Sequence, residues 1–466
     1  GYQTPTDFRL LNDVLSQALK TVCGSFDAAM KRWTKAQLVS VAEFAYATLA
    51  LFALTQGPVY RVWSPSGLEV DRLPNPTIPH TYFATFVSAQ LPAFAFLIRR
   101  LDKKWVHERS NQLLFLLLGW LTLSVCWSTF SRQSLPEVVA LILTTSFGLY
   151  LAASFSAQQF WALLASAMGL GVSLSWVAVM RLWDGAVNFQ QDYWIGIYYN
   201  RNSLAPVTAL AIIGAFGVVI TRWDSFRSKW TASTAVTVLS ALVLSVFAGI
   251  ELWQSESQTS PLALAVAVGT LGVWLAIRRV TRRIQFLSWS RPLAASVALL
   301  LAGAALFGAL QLMGGFGGVS SEVATLNSRR NLWALSWSGI LEKPWFGWGW
   351  MAAWWTDEFF VERSWWATWG SGWSHNGYHD LLLGGGVVAG VLFFGYLWSA
   401  TRAVDNDQFR SAVPRLMTIG FALAAATQES FFVGSHFVWA VLIAALAPTR
   451  AITHSVEEQN SRTSAV

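Results

Sequence analysis

SLAPVTALAIIGAFGVVI, residues 203–220, runs for eighteen positions without one charged side chain. Coiled as a helix at 1.5 Å per residue, it nearly crosses a hydrocarbon core of about 30 Å. Its flanks are polar: Arg201 stands just before it, and Arg222, Arg227 and Lys229 follow it. Gly214, Gly217 and Pro206 lie inside it, and membrane helices tolerate such residues. The whole chain repeats this pattern.

Hydrophobic residues make up 54% of the 466 positions and charged residues only 12%, against about 25% charged in soluble domains. The mean hydropathy is +0.43. Lipid accounts for the deficit, because a charge at the bilayer centre costs about 2.5–3.5 kcal/mol on insertion scales. A single polytopic membrane domain fits better than the roughly three soluble domains that length alone allows. Twelve spans are expected, near 38–56, 80–98, 112–128, 136–153, 160–179, 203–220, 232–251, 260–277, 292–312, 380–400, 413–431 and 435–448. The expected fold class is thus an all-α polytopic membrane protein.

The net charge of +7 is spread through short loops. Arg99, Arg100, Lys103, Lys104 and Arg109 follow the second span, Arg278, Arg279, Arg282 and Arg283 the eighth, and Arg402, Arg410 and Arg415 the tenth. That is the positive-inside pattern, not a nucleic-acid footprint, and it puts those loops and both termini in the cytoplasm. Residues 1–35 form a cytoplasmic segment with apolar positions at helical spacing, read either as an interfacial amphipathic helix or as a helix packed on the bundle. Residues 36–448 form the membrane domain, and 449–466 a polar cytoplasmic tail. The first long apolar run begins near Leu38, which argues against a cleavable leader, and a start at Gly1 is expected of a trimmed chain. Cys23 and Cys126 are too few for a disulfide framework or a thiolate metal site.

The outward side then holds one long stretch, about 313–379, too long to be structureless. Eleven of the 27 tryptophans lie in it, from Trp333 to Trp373. They serve either as interfacial belt and packing or as flat platforms for sugars. The chain has no P-loop, Rossmann glycine motif, HExxH or Cys/His cluster, so nucleotide and zinc chemistry lack support. The informative residues are outward-facing and ionisable: Arg201, Arg329, Arg330 and His375. A guanidinium fork matches phosphate oxygens bidentately, although an arginine at a helix end also snorkels to the interface. A histidine at neutral pH can accept a proton or simply bridge a turn by hydrogen bonds.

Four stretches carry a resemblance: SVCWSTFSRQSLPEVVALILTTSFGLYLAASFS (124–156), WIGIYYNRNSLA (194–205), QSESQTSPLAL (254–264), and TLNSRRNLWALSWSGILEKPWFGWGW (325–350) followed by SHNGYHDLLLGGGVVAG (374–390). In order and sidedness they resemble the O-antigen ligase/polymerase superfamily, which includes O-antigen ligases, Wzy-type polymerases and exopolysaccharide polymerases. The resemblance implies a GT-C-like glycosyltransferase of the bacterial inner membrane with its active site on the periplasmic face. It implies an undecaprenyl-diphosphate-linked glycan donor, a glycan or lipid-linked acceptor, and possible work with a flippase and a chain-length regulator. It implies no metal, cofactor or nucleic acid.

On the matching positions, His375 would orient or deprotonate the acceptor. Arg329 and Arg201 would bind the diphosphate, with Arg330, Asn202 and Asn376 also in the substrate site. Gly384 stands where the family often has an acidic residue, so no residue takes that role. The exopolysaccharide-type segments favour a polymerase over a ligase that moves a finished glycan to lipid A core, protein or another acceptor. An anion transporter is a lower alternative.

Overall fold

The computed structural model describes residues 34–59, 80–100, 108–183, 185–188, 192–228, 230–283, 322–357, 359, 372–405, 409–432 and 436–447. Two compact units are distinguished, residues 1–49 and 50–466. The described part of the first is the opening of helix α1 (Lys35–Leu54). The second holds α2 (His80–Arg100), α3 (Arg109–Leu123), α4 (Ser131–Ser154), α5 (Ala157–Met180), α6 (Arg201–Thr221), α7 (Ala232–Gln254), α8 (Thr259–Arg283), α9 (Glu322–Glu342), α10 (Gly377–Asp405), α11 (Phe409–Ala425) and α12 (Phe437–Leu446). The only sheet among the described residues is a two-residue antiparallel pair, Val187–Asn188 with Tyr193–Trp194.

Seven of these helices are long and apolar enough to cross a membrane. The chain is an all-α, multi-pass membrane protein. Helices stand at eleven of the twelve expected positions, and the ninth, 292–312, lies outside the described residues. So do residues 1–33, with most of the expected N-terminal helix, and the tail 449–466. Two limits differ from expectation. Helix α11 stops at Ala425, short of the expected 431, where Thr427, Gln428, Glu429 and Ser430 follow and the chain turns. Residues 322–342 of the long loop form a regular helix, α9.

Helices α5 and α6 meet through small residues, Gly214 lying on Ala165 and Gly217 on Trp161. Close backbone approach of this kind drives association in lipid, where apolar side chains gain little by leaving the solvent. Helices α4 and α12 meet at Gly148 against Ala440 and Ile443, with Trp439 Nε1 donating to Thr145 Oγ1 at 2.9 Å. Helices α8 and α11 run antiparallel. Trp274 stacks on Phe409 at 5.9 Å, while further along Gly420 lies against Ala267 and Thr270. The C-terminal end of α11 is therefore beside the N-terminal end of α8.

The tryptophan-rich loop docks on α10 through backbone. Trp348 N donates to Leu383 O (2.8 Å) and Val387 N to Pro344 O (2.7 Å), while Trp120 Nε1, a side chain of α3, donates to Gly385 O (2.8 Å). This exchange needs α10 to break its own ladder, which it does at Gly386 (φ 67°, ψ −167°). A Cβ there would stand 2.2 Å from Trp345 O, so only glycine fits. Gly347, at φ 69°, makes the reciprocal approach to Leu383 O. The run Gly384–Gly386 is thus a docking surface for the loop, which explains why no acidic side chain stands in it. Trp348, Trp354, Leu332, Leu335, Phe359 and Leu383 close a hydrophobic core around the join. These loop tryptophans are packing residues, while Trp337, Trp345 and Trp373 are exposed.

Candidate active site

His375 sits on the turn that starts α10. Asn376 caps the helix, its Oδ1 accepting from Tyr378 N (3.0 Å) and His379 N (3.2 Å). A capping asparagine satisfies donors that the first helical turn otherwise leaves open. Ser374 braces the same turn, its Oγ accepting from Asn376 N at 3.0 Å. His375 itself holds φ 53°, in the left-handed region that non-glycine residues rarely adopt. Strain of this kind persists only where surrounding contacts over-determine it. Those contacts are present: Trp333 Nε1 of α9 donates to Ser374 O (3.1 Å), and Gly377 N reaches Ala426 O (2.8 Å) and Glu429 O (3.2 Å).

Three segments converge here. Helix α9 supplies Arg329, the turn before α10 supplies His375, and the turn after α11 supplies Glu429. Arg329 Nη2 donates to Glu429 Oε1 at 2.8 Å, and Nη1 to Gln428 Oε1 at 3.4 Å. Glu429 Oε2 lies 3.0 Å from His375 Nδ1. One carboxylate therefore bridges the arginine and the histidine, all three side chains being only 11–13% exposed. Burial by itself would raise the Glu429 carboxyl. The Arg329 charge, the His375 hydrogen bond and charge, and the charge of His436 outweigh it and hold the group below its ordinary range. Arg329 Nε has no partner among the described residues, which leaves a buried donor for a ligand oxygen.

With a proton on Nδ1 the imidazole donates to Glu429 Oε2, and in that tautomer the lone pair is on Nε2. His436, nearby in sequence, does something else. It is stacked between Phe431 and Phe437 and accepts from Val438 N (3.3 Å) as the cap of α12.

Arg201 and Asn202 form a second group at the start of α6. The Arg201 guanidinium lies 4.9 Å from the centre of the Tyr193 ring, and Asn202 Oδ1 accepts from Ser257 Oγ (3.1 Å) in the turn between α7 and α8. That turn precedes the N-terminal end of α8, beside which α11 ends and the Glu429 turn begins. The two groups thus share one end of the helix bundle. Arg330 lies on α9 next to Arg329, and its side chain is outside the described residues.

The stretches that look separate in sequence meet in pairs. Ser124 Oγ accepts from Trp350 N (2.9 Å), and Trp127 Nε1 donates to Phe346 O (3.2 Å), joining the segment at 124–156 to the tryptophan loop. The Asn202–Ser257 bond joins the other two stretches.

Sequence reasoning missed Glu429, because an expected span over 413–431 hid it inside lipid. A signal was present: TQES at 427–430 interrupts an apolar run, and an ionisable residue inside a span is a functional candidate on its own. Asp380, 2% exposed in the first turn of α10, was missed as well.

Residues 252–394 match a family model described as O-antigen ligase. The match takes in Arg329 and His375 and stops short of Glu429. No curated protein matches the chain.

Proposed function

We propose, from the match of residues 252–394 to a family model described as O-antigen ligase, that the chain is a membrane glycosyltransferase of the O-antigen ligase/Wzy superfamily and that it polymerises lipid-linked oligosaccharide repeat units into a surface polysaccharide. The donor is a glycan on undecaprenyl diphosphate, the fold is GT-C-like, and the reaction takes place at the periplasmic face of the bacterial inner membrane. The bridging of Arg329 and His375 by Glu429 is the single observation that supports this reading most.

Each residue then has a chemical task. His375 Nε2 takes the proton of an acceptor hydroxyl as that oxygen attacks the anomeric carbon. Glu429 holds the imidazole in the right tautomer and stabilises the imidazolium that forms. The glycosyl–phosphate bond breaks as the new glycosidic bond forms, with inversion, and undecaprenyl diphosphate departs. Negative charge develops on the leaving oxygen, and Arg329, with its unpartnered Nε, stabilises it. Arg201 binds the same diphosphate from the α6 end, with Arg330 and Asn202 beside it, and Asn376 keeps the histidine turn in place.

The experiment is transfer by purified protein given a lipid-linked repeat unit and no nucleotide sugar. Products lengthened by whole repeat units, read by mass spectrometry, support polymerisation. Transfer of one intact glycan to a lipid A core or protein acceptor, without lengthening, supports the ligase reading instead.

A further inference from the structure

Asp380 is buried, and among the described residues the donors it faces are neutral. Its Oδ1 accepts from Ser374 N (3.0 Å) and Trp354 Nε1 (3.2 Å), and its Oδ2 from the Ser430 hydroxyl. These donors come from three segments, and each segment carries or braces one member of the site. Ser374 immediately precedes His375. Ser430 immediately follows Glu429. Trp354 belongs to the hydrophobic cluster that includes Leu332 and Leu335 of α9, the helix bearing Arg329.

A buried carboxylate without a cationic partner is costly. The dipole of α10, in whose first turn Asp380 stands, offsets part of that cost. Three hydrogen bonds satisfy both carboxyl oxygens and offset a further part of it. An apolar residue would fill the same space at less cost, but it would not tie these segments together.

We propose that Asp380 is a positioning residue: it holds the His375 turn and the Glu429 turn in register, acting through Ser374 and Ser430. This rests on the proposed glycosyl transfer for its kinetic consequence, but not for its structural one. A displacement of about 1 Å at a reacting group costs on the order of 10²-fold in rate. Asp380→Asn, which keeps the size but weakens the acceptor, is therefore expected to lower kcat on that order while leaving the donor KM unchanged. Ser430→Ala should lower kcat less, and the double variant no more than Asp380→Asn alone.

The deciding test has two arms on the full chain in detergent or nanodiscs. The first measures carbethoxylation of His375 by diethyl pyrocarbonate, site by site by peptide mass spectrometry, with His436 as internal reference. Faster labelling of His375 in Asp380→Asn, with His436 unchanged, is the expected result. An unchanged His375 rate, or an equal rise at both histidines, overturns the positioning role. The second arm measures kcat and KM with a lipid-linked donor, and a loss confined to KM also overturns it. Absence of transfer by the wild type counts against the proposed function, while the labelling arm still decides the role of Asp380.

Discussion

At residue scale the account rests on Glu429, whose carboxylate touches both Arg329 and His375. His375→Ala is expected to lower glycosyl transfer by about 10²–10⁴-fold, the usual worth of a positioned base, with little change in thermal stability. Transfer rates and melting curves on the same preparations check this. A second expectation concerns pH. The folded Glu429 carboxyl lies below its ordinary range, so its stabilising contribution is present above that range and is lost as pH falls through the depressed value. Melting temperature plotted against pH should therefore fall more steeply toward acid in the wild type than in Glu429→Gln; equal slopes would contradict the ion-pair geometry. Arg329 and His375 stood out in the sequence as ionisable residues near the ends of apolar runs, and the structure brings these two together. The bridge that Glu429 makes between them was not legible there, since contacts over 54 and 100 residues of chain leave no local pattern.

At element scale, helix positions were readable wherever apolar runs approached the hydrocarbon thickness, as at α4 to α8. Ends were less readable. Hydropathy sees the average of a window, whereas α11 ends through the hydrogen-bonding of four consecutive polar residues. The glycine run at 384–386 was read as a missing acid, and the structure shows it as the place where the tryptophan loop bonds to the backbone of α10. Gly386→Ala would have to hold φ 67° and bring a Cβ to 2.2 Å from Trp345 O. A loss of at least about 1–3 kcal/mol is expected, together with loss of transfer as the tryptophan loop that follows α9, the helix of Arg329, shifts. Thermal unfolding and turnover of the variant check this. Wild-type stability in Gly386→Ala would show that the loop docks in some other way.

At the scale of the whole molecule, the four stretches come together in two joins, one around the tryptophan loop between residues as many as 226 apart, and one at the turn before α8. Their order in the chain could suggest a family, but it is helix packing, with α8 antiparallel to α11 and α6 against both, that brings Arg201 to the same end as Glu429. Two arginine sites at one end suit a diphosphate donor, with the acceptor placed between His375 and the scissile bond. Arg201→Ala should accordingly weaken donor binding while leaving the Arg329–Glu429–His375 bridge intact, and titration of the variant with lipid-linked donor tests that. The most direct test of the central claim is the mass spectrum of products formed from a defined undecaprenyl-diphosphate repeat unit by wild type, His375→Ala and Glu429→Gln. The account predicts lengthened glycan and released undecaprenyl diphosphate with the wild type alone. Full transfer by both variants, folded as the wild type is, would contradict it.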